Sequence, residues 1–140
     1  SGDEIEAVVG VPIAVENHAE RAVNAALDMR AALLELNKTR IANNLEPLRH
    51  GIGIYTGTVL AGNTGSDDRL SYTLIGDTVN LASRIQALTK DLGWDILVYE
   101  GTMNLIDKTY DAVKEDPVKV KGYSKPIIVH RILRTKQTKS

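Results

Sequence analysis

Tyr72-Thr73-Leu74-Ile75-Gly76-Asp77-Thr78-Val79-Asn80-Leu81-Ala82-Ser83-Arg84 is the stretch on which the fold turns. Residues 70–75 have strand composition, and Gly76-Asp77 breaks the run. A helix follows over residues 78–89, because Leu81, Ile85 and Leu88 fall on one side of a 3.6-residue turn and form a face to be buried. Asp77, immediately before the periodic segment, is the expected N-cap. A strand that runs straight into an amphipathic helix is half of an α/β unit, so this helix should lie back on a sheet.

Working upstream, Gly51-Ile52-Gly53-Ile54-Tyr55 and Thr58-Val59-Leu60-Ala61 are two short β-rich runs split by Thr56-Gly57, and residues 62–68 are turn chemistry. Asn17, with Glu20 three residues on, has the logic of a capping box. Ala22, Ala26, Met29, Leu33 and Leu36 then form a helical apolar stripe that ends before the Asn43-Asn44 and Pro47 loop. Ile5, Ala7, Val9 and Val11 alternate with Glu4, Glu6, Val8 and Gly10, a period-two strand ended by Pro12. The Gly2-Asp3 turn has only Ser1 before it, so the chain is expected to begin inside a domain. Downstream, residues 94–99 read as a strand and 102–106 as a short helix. Residues 118–120 and 127–133 read as a closing hairpin around a loop at 122–126, and the basic stretch 131–140 as a frayed tail. The alternation predicts an α/β sandwich with its helices on one face of a sheet.

Composition narrows the function. At 140 residues the chain has single-domain length. Its 17 Lys and Arg against 18 Asp and Glu leave a net charge of −1, without the broad basic footprint of a general nucleic-acid binder or an anionic-membrane adsorber. The absence of Cys excludes a disulfide scaffold, a thiolate zinc site and a thiol nucleophile, and fits a reducing compartment. Five Tyr, one Trp and no Phe leave few platforms for stacking bases. No apolar run approaches a membrane span, and the expectation is a soluble, cytoplasmic domain with no nucleic acid and no direct membrane contact.

The glycines at 51, 53, 57, 62 and 65 are followed by no Gly-Lys-Ser/Thr and open no G-x-G-x-x-G helix, so each reads as a bulge or turn position. Asn80 and Arg84 are four residues apart and project together at the edge of the helix's apolar face. An amide and a guanidinium side by side suit a sugar hydroxyl and a phosphate oxygen, although on spacing alone a solvated polar edge is the plainer reading. Asp3 is either a turn residue or a carboxylate for a divalent ion, and the second reading needs a partner Asp.

Taken in order, Gly2-Asp3-Glu4-Ile5-Glu6-Ala7-Val8-Val9-Gly10-Val11-Pro12, His50-Gly51-Ile52-Gly53-Ile54-Tyr55-Thr56-Gly57, Ala61-Gly62-Asn63-Thr64-Gly65 and above all Asp68 through Arg84 closely resemble the catalytic domain of class III nucleotidyl (adenylate/guanylate) cyclases. Val120-Lys121-Gly122 followed by Pro126-Ile127-Ile128-Val129 resembles that family's closing hairpin. The resemblance implies a ferredoxin-like βαββαβ sandwich, lacking its first strand and helices, over residues 1–134, with 135–140 as a basic tail. It implies a lyase, an adenylate cyclase of signal transduction, that turns ATP into 3′,5′-cyclic AMP and pyrophosphate in the cleft of a head-to-tail homodimer. Two divalent ions, Mg2+ or Mn2+, would neutralise phosphate charge and activate the attacking 3′-oxygen. Carried over residue by residue, Asp3 matches a metal-binding aspartate, Asn80 the ribose-orienting amide, Arg84 the group that stabilises charge on the phosphorus, and Lys121 the lysine at the terminal phosphates. Thr73 stands at the base-reading position, where the family places Asp or Thr for adenine and Cys for guanine. The family's first metal aspartate and its adenine-reading lysine precede the Gly-Asp turn and fall outside these 140 residues, so the isolated segment is expected to be inactive.

Four other readings compete. A non-catalytic, dimerising, nucleotide-binding cyclase homologue has no need of Asp3, Asn80, Arg84 and Lys121 together. Ser1-Gly2-Asp3-Glu4-Ile5 resembles the turn signature of diguanylate cyclases, which have no counterpart to Asp77 through Arg84. An RNA-binding ferredoxin-like domain would carry paired strand aromatics that are missing here. A guanylate cyclase remains the alternative within the same family.

Overall fold

The computed structural model describes residues 17–57, 60–63, 72–75, 77–106 and 109–136. The strand expected over residues 5–11, Asp3, and most of the turn at 62–68 lie outside the described residues. The element order is α1 (His18–Ala42), β1 (Ile52–Ile54), β2 (Leu60–Asn63), β3 (Tyr72–Ile75), α2 (Asp77–Leu92), β4 (Ile96–Tyr99), α3 (Glu100–Met103), β5 (Tyr110–Lys114) and β6 (Val129–Thr135). One sheet has the order β1-β4-β6-β5, and β2 and β3 form a separate antiparallel pair. β1 and β4 are parallel, with Gly53 opposite Leu97, and parallel neighbours require a crossover, which α2 supplies. The remaining pairs, β4 with β6 and β5 with β6, are antiparallel.

The α/β class holds, but the helices do not share a face. Ile96 and Val98 pack with Val23 and Ala26 of α1, together with Ile54, Tyr110 and Ile132. Leu97, pointing the other way, packs with Leu81, Ile85 and Leu88 of α2 and with Val120, Ile127 and Val129. The reason lies in β4 itself. Its Ile-Leu-Val run has no polar residue in alternation, so both faces must be covered, and all three side chains are fully buried. Each is worth about 1.5–3 kcal/mol of apolar burial.

Several local expectations are corrected. Asn17 has φ 55° and its side chain makes no cap hydrogen bond, so the capping box does not form. The buried face of α1 is Ala19, Val23 and Ala26, whereas Met29 and Leu36 from the expected stripe stay about half exposed. Asp77 is the first residue of α2 rather than its N-cap, and the helix runs on to Leu92. The short helix α3 begins at Glu100, before the expected start. The closing hairpin shrinks to a bridge between Val118 and Ile127, because β6 pairs instead with β4 and with β5, a strand the sequence reading missed. Arg131 through Thr135 belong to β6 and are not frayed, while residues 137–140 lie outside the description.

Arg30 explains why the face of α1 turns as it does. Continuing the 19-23-26 register, its guanidinium makes two 2.7 Å bonds to Asp95 and donates to the Ile132 and Leu133 carbonyls at 2.8 and 2.7 Å. It also lies 5.7 Å from the Trp94 ring centroid, with Arg131 at 5.8 Å from the same ring. Burial alone would raise the Asp95 carboxyl, but the Arg30 guanidinium and the nearby His50 hold it below its ordinary 3.8. A carboxylate depressed in the folded state stabilises the fold above its unfolded pKa and loses that contribution as pH falls through the folded value. Arg30→Met is therefore expected to cost about 2–3 kcal/mol at pH 7, a little under a fully buried pair because both side chains retain some exposure. Urea unfolding at pH 7 and pH 3 checks it: the gap between variant and wild type should narrow at the lower pH.

Candidate functional site

The position of α2 is set by a glycine. A Cβ at Gly53 would stand 2.3 Å from the Gln86 nitrogen and 2.8 Å from the Ala82 oxygen, so the helix backbone rests directly on β1. With Leu81, Ile85 and Leu88 turned into the core, the rotation of the helix is fixed, and Asn80 and Arg84 emerge on its exposed side.

The opposite wall comes from the segment after β5. Val120 and Ile127 are buried in the same apolar cluster as α2, which ties this strap to the helix. Val118 and Ile127 exchange backbone hydrogen bonds of 2.9 and 2.8 Å. The Tyr123 N–H donates to the Val120 carbonyl at 3.3 Å, closing a turn with Gly122 at φ +89°, a conformation that suits glycine. Lys121, exposed, occupies that turn.

Between the two walls lies a cleft of about 420 Å³ lined by Asn80, Arg84, Lys121, Gly122, Tyr123 and Ser124. Three residues singled out in the sequence thus meet at one place. Among the described residues neither Arg84 nor Lys121 has a carboxylate partner. Two cations without a carboxylate partner among the described residues, an amide and the hydroxyls of Tyr123 and Ser124 suit anionic oxygens such as those of phosphates. The same donor set does not fit a divalent cation, and among the described residues no group of three His, Cys, Asp or Glu could hold one. Asp3, the expected metal ligand, is outside the described residues. Thr73 has its backbone in β3 opposite Gly62, and its side chain is not described. Gly122, Tyr123 and Ser124 were missed as cleft residues; their signal was plain adjacency to Lys121 in a glycine turn.

The chain is similar to known proteins over most of its length. A family model described as the adenylate and guanylate cyclase catalytic domain matches residues 1–134. The chain is 35% identical over 135 residues to Adenylate cyclase 1 of Rhizobium meliloti (strain 1021), covering 94% of this chain and 20% of that protein. It superposes on the crystal structure of the guanylyl cyclase Cya2 with TM-score 0.77 and 29% identity, over 91% of this chain and 64% of that one. On the adenylyl cyclase CyaB from P. aeruginosa the TM-score is 0.76 at 28% identity, over 91% of this chain and 65% of the other. The chain therefore spans about a fifth of its Rhizobium relative and just under two thirds of the solved chains.

Proposed function

The chain belongs to the adenylate and guanylate cyclase catalytic-domain family, and we propose that it is part of an adenylate cyclase that converts ATP to 3′,5′-cyclic AMP and pyrophosphate. The observation that carries this reading is the convergence of Asn80, Arg84 and Lys121 on one cleft with no carboxylate among its described lining residues. In the reaction the ribose 3′-oxygen loses its proton and attacks the α-phosphorus, and pyrophosphate leaves. Asn80 holds the ribose so that this oxygen is in line. Arg84 meets the charge that builds on the phosphorus, and Lys121 holds the terminal phosphates. Such donors stabilise charge best where it develops in the transition state. Divalent ions, Mg2+ or Mn2+, would neutralise phosphate charge and activate the attacking oxygen, with Asp3 as one ligand.

The site is shared: Asp3 of one chain faces Thr73, Asn80, Arg84 and Lys121 of a second copy. Thr73 favours ATP, because its hydroxyl accepts from the adenine amine. The similarity itself is neutral between the two bases, since the solved neighbours include both an adenylyl and a guanylyl cyclase. The 140-residue segment alone is expected to be inactive.

The test is a product assay on the full-length protein with ATP and GTP in parallel. Cyclic AMP from ATP supports the reading, turnover of GTP alone overturns the choice of base, and no cyclic product from either overturns the activity. Mixing Asp3→Ala with Asn80→Ala chains should restore one working site of the two in each mixed dimer. No recovery on mixing contradicts the shared site.

A further inference from the structure

Resting on the triphosphate reading of the cleft, we propose that Ser124 is a phosphate-binding residue, its hydroxyl donating to the terminal phosphates beside Lys121. The strap offers four residues to the cleft: Lys121, Gly122, Tyr123 and Ser124. Gly122 has no side chain to contribute, and a Cβ there would meet nothing within 4 Å, so the cleft is open at that point. Tyr123 is half-buried and packs against the apolar cluster of α2. Besides Lys121, Ser124, exposed, is the strap's lining residue whose polar side chain is not also packed into the apolar cluster.

Its place is fixed from both ends. The turn bond from Tyr123 to Val120 precedes it, and the buried Ile127 with its two bonds to Val118 follows it. A donor held in this way forfeits little freedom on binding, which is what makes a single hydroxyl count. A triphosphate also carries more negative charge than Arg84 and Lys121 neutralise, leaving acceptor oxygens that a neutral donor can satisfy. Asn80 and Arg84 stand on the helix wall and Lys121 with Ser124 on the strap wall. In the proposed reaction the strap therefore grips the part of the substrate that departs as pyrophosphate. Ser124 then governs the affinity for that end and leaves the chemical step alone.

Calorimetric titration of the full-length protein with inorganic tripolyphosphate tests this without turnover. Ser124→Ala should bind about five- to tenfold more weakly, the loss expected for one hydrogen bond of ordinary net strength at an exposed site. Ser124→Thr, which keeps the hydroxyl, should bind like wild type. Lys125→Ala, next in sequence and not part of the cleft, should stay within about twofold, because an exposed rim charge acts mainly through screened electrostatics. In the cyclase assay, Ser124→Ala should raise KM and weaken pyrophosphate inhibition by the same factor with kcat unchanged. Equal tripolyphosphate affinity for Ser124→Ala and wild type overturns the proposal, as does a wild type that binds none. A wild type that binds tripolyphosphate but makes no cyclic nucleotide would instead remove the cyclase reading and leave the phosphate site standing.

Discussion

Arg84→Ala should lower cyclic-AMP formation by a factor on the order of 10²–10³, the usual loss when one preorganised donor to a developing oxyanion is removed. The fold should hardly notice. Arg84 is exposed on the outer side of α2, one turn beyond Asn80, while the packing of the helix runs through Leu81, Ile85 and Leu88. Alanine is at least as good a helix former, so the stability change should stay within about 0.5 kcal/mol. The kinetic signature separates two roles. If Arg84 acts on charge that appears only in the transition state, kcat falls and KM stays near wild type. If it merely holds ground-state phosphate, KM rises and kcat is kept. Arg84→Lys retains the charge but loses the planar fork, and should recover only part of the rate. Full turnover in Arg84→Ala with an unchanged melting temperature would remove Arg84 from the reaction altogether.

The parts of the fold that were legible in the sequence are those where one physical demand acts alone. The apolar face of α2 is a plain 3.6-residue repeat, and Asn80 and Arg84 follow from it by spacing, so both are found where the pattern places them. The face of α1 was misplaced because a count of apolar residues cannot weigh Arg30. That side chain takes a core-facing position, and four hydrogen bonds and a Trp94 ring compensate its burial. The capping box at Asn17 needed a side-chain geometry that its left-handed backbone does not provide. β5 escaped notice because it is flanked by charge and leaves Val113 exposed, so its stability comes from the backbone ladder with β6 and little from its own pattern. The one-face expectation failed although its contradiction was readable, since three consecutive branched apolar residues in β4 leave no side for water. The meeting of Lys121 with Arg84 was beyond local pattern. It depends on Val120 and Ile127 sharing a core with α2, a tertiary fact that only the resemblance anticipated.

Gly53→Ala should be strongly damaging for so small a substitution, costing about 2–3 kcal/mol after the roughly 0.5–1 kcal/mol that Ala gains over Gly in backbone entropy. The new methyl would lie 2.3 Å from the Gln86 nitrogen and 2.8 Å from both the Ala82 oxygen and the Gln86 Cα. All three are helix backbone, so no rotamer change relieves the clash, and α2 must lift from β1. Gly51→Ala is the control. There the methyl would meet the Thr89 hydroxyl at 2.0 Å and the Gln86 side-chain nitrogen at 3.3 Å, groups that can rotate away, and the Thr89 Cβ at 3.0 Å, which must give by a few tenths of an ångström. Its cost should be about 1 kcal/mol, chiefly the Thr89 hydroxyl's bond to the Gln86 carbonyl. Because Asn80 and Arg84 ride on α2 while Lys121 does not, lifting the helix widens the cleft as well as weakening the core. A displacement on the order of 1 Å can cost about 10²-fold in rate, so turnover in Gly53→Ala should fall even at temperatures where the protein stays folded. Urea midpoints for both variants, with turnover measured well below either transition, decide the matter. Equal destabilisation by the two substitutions, or full activity in folded Gly53→Ala, means that the seat of α2 on β1 does not set the geometry of the cleft.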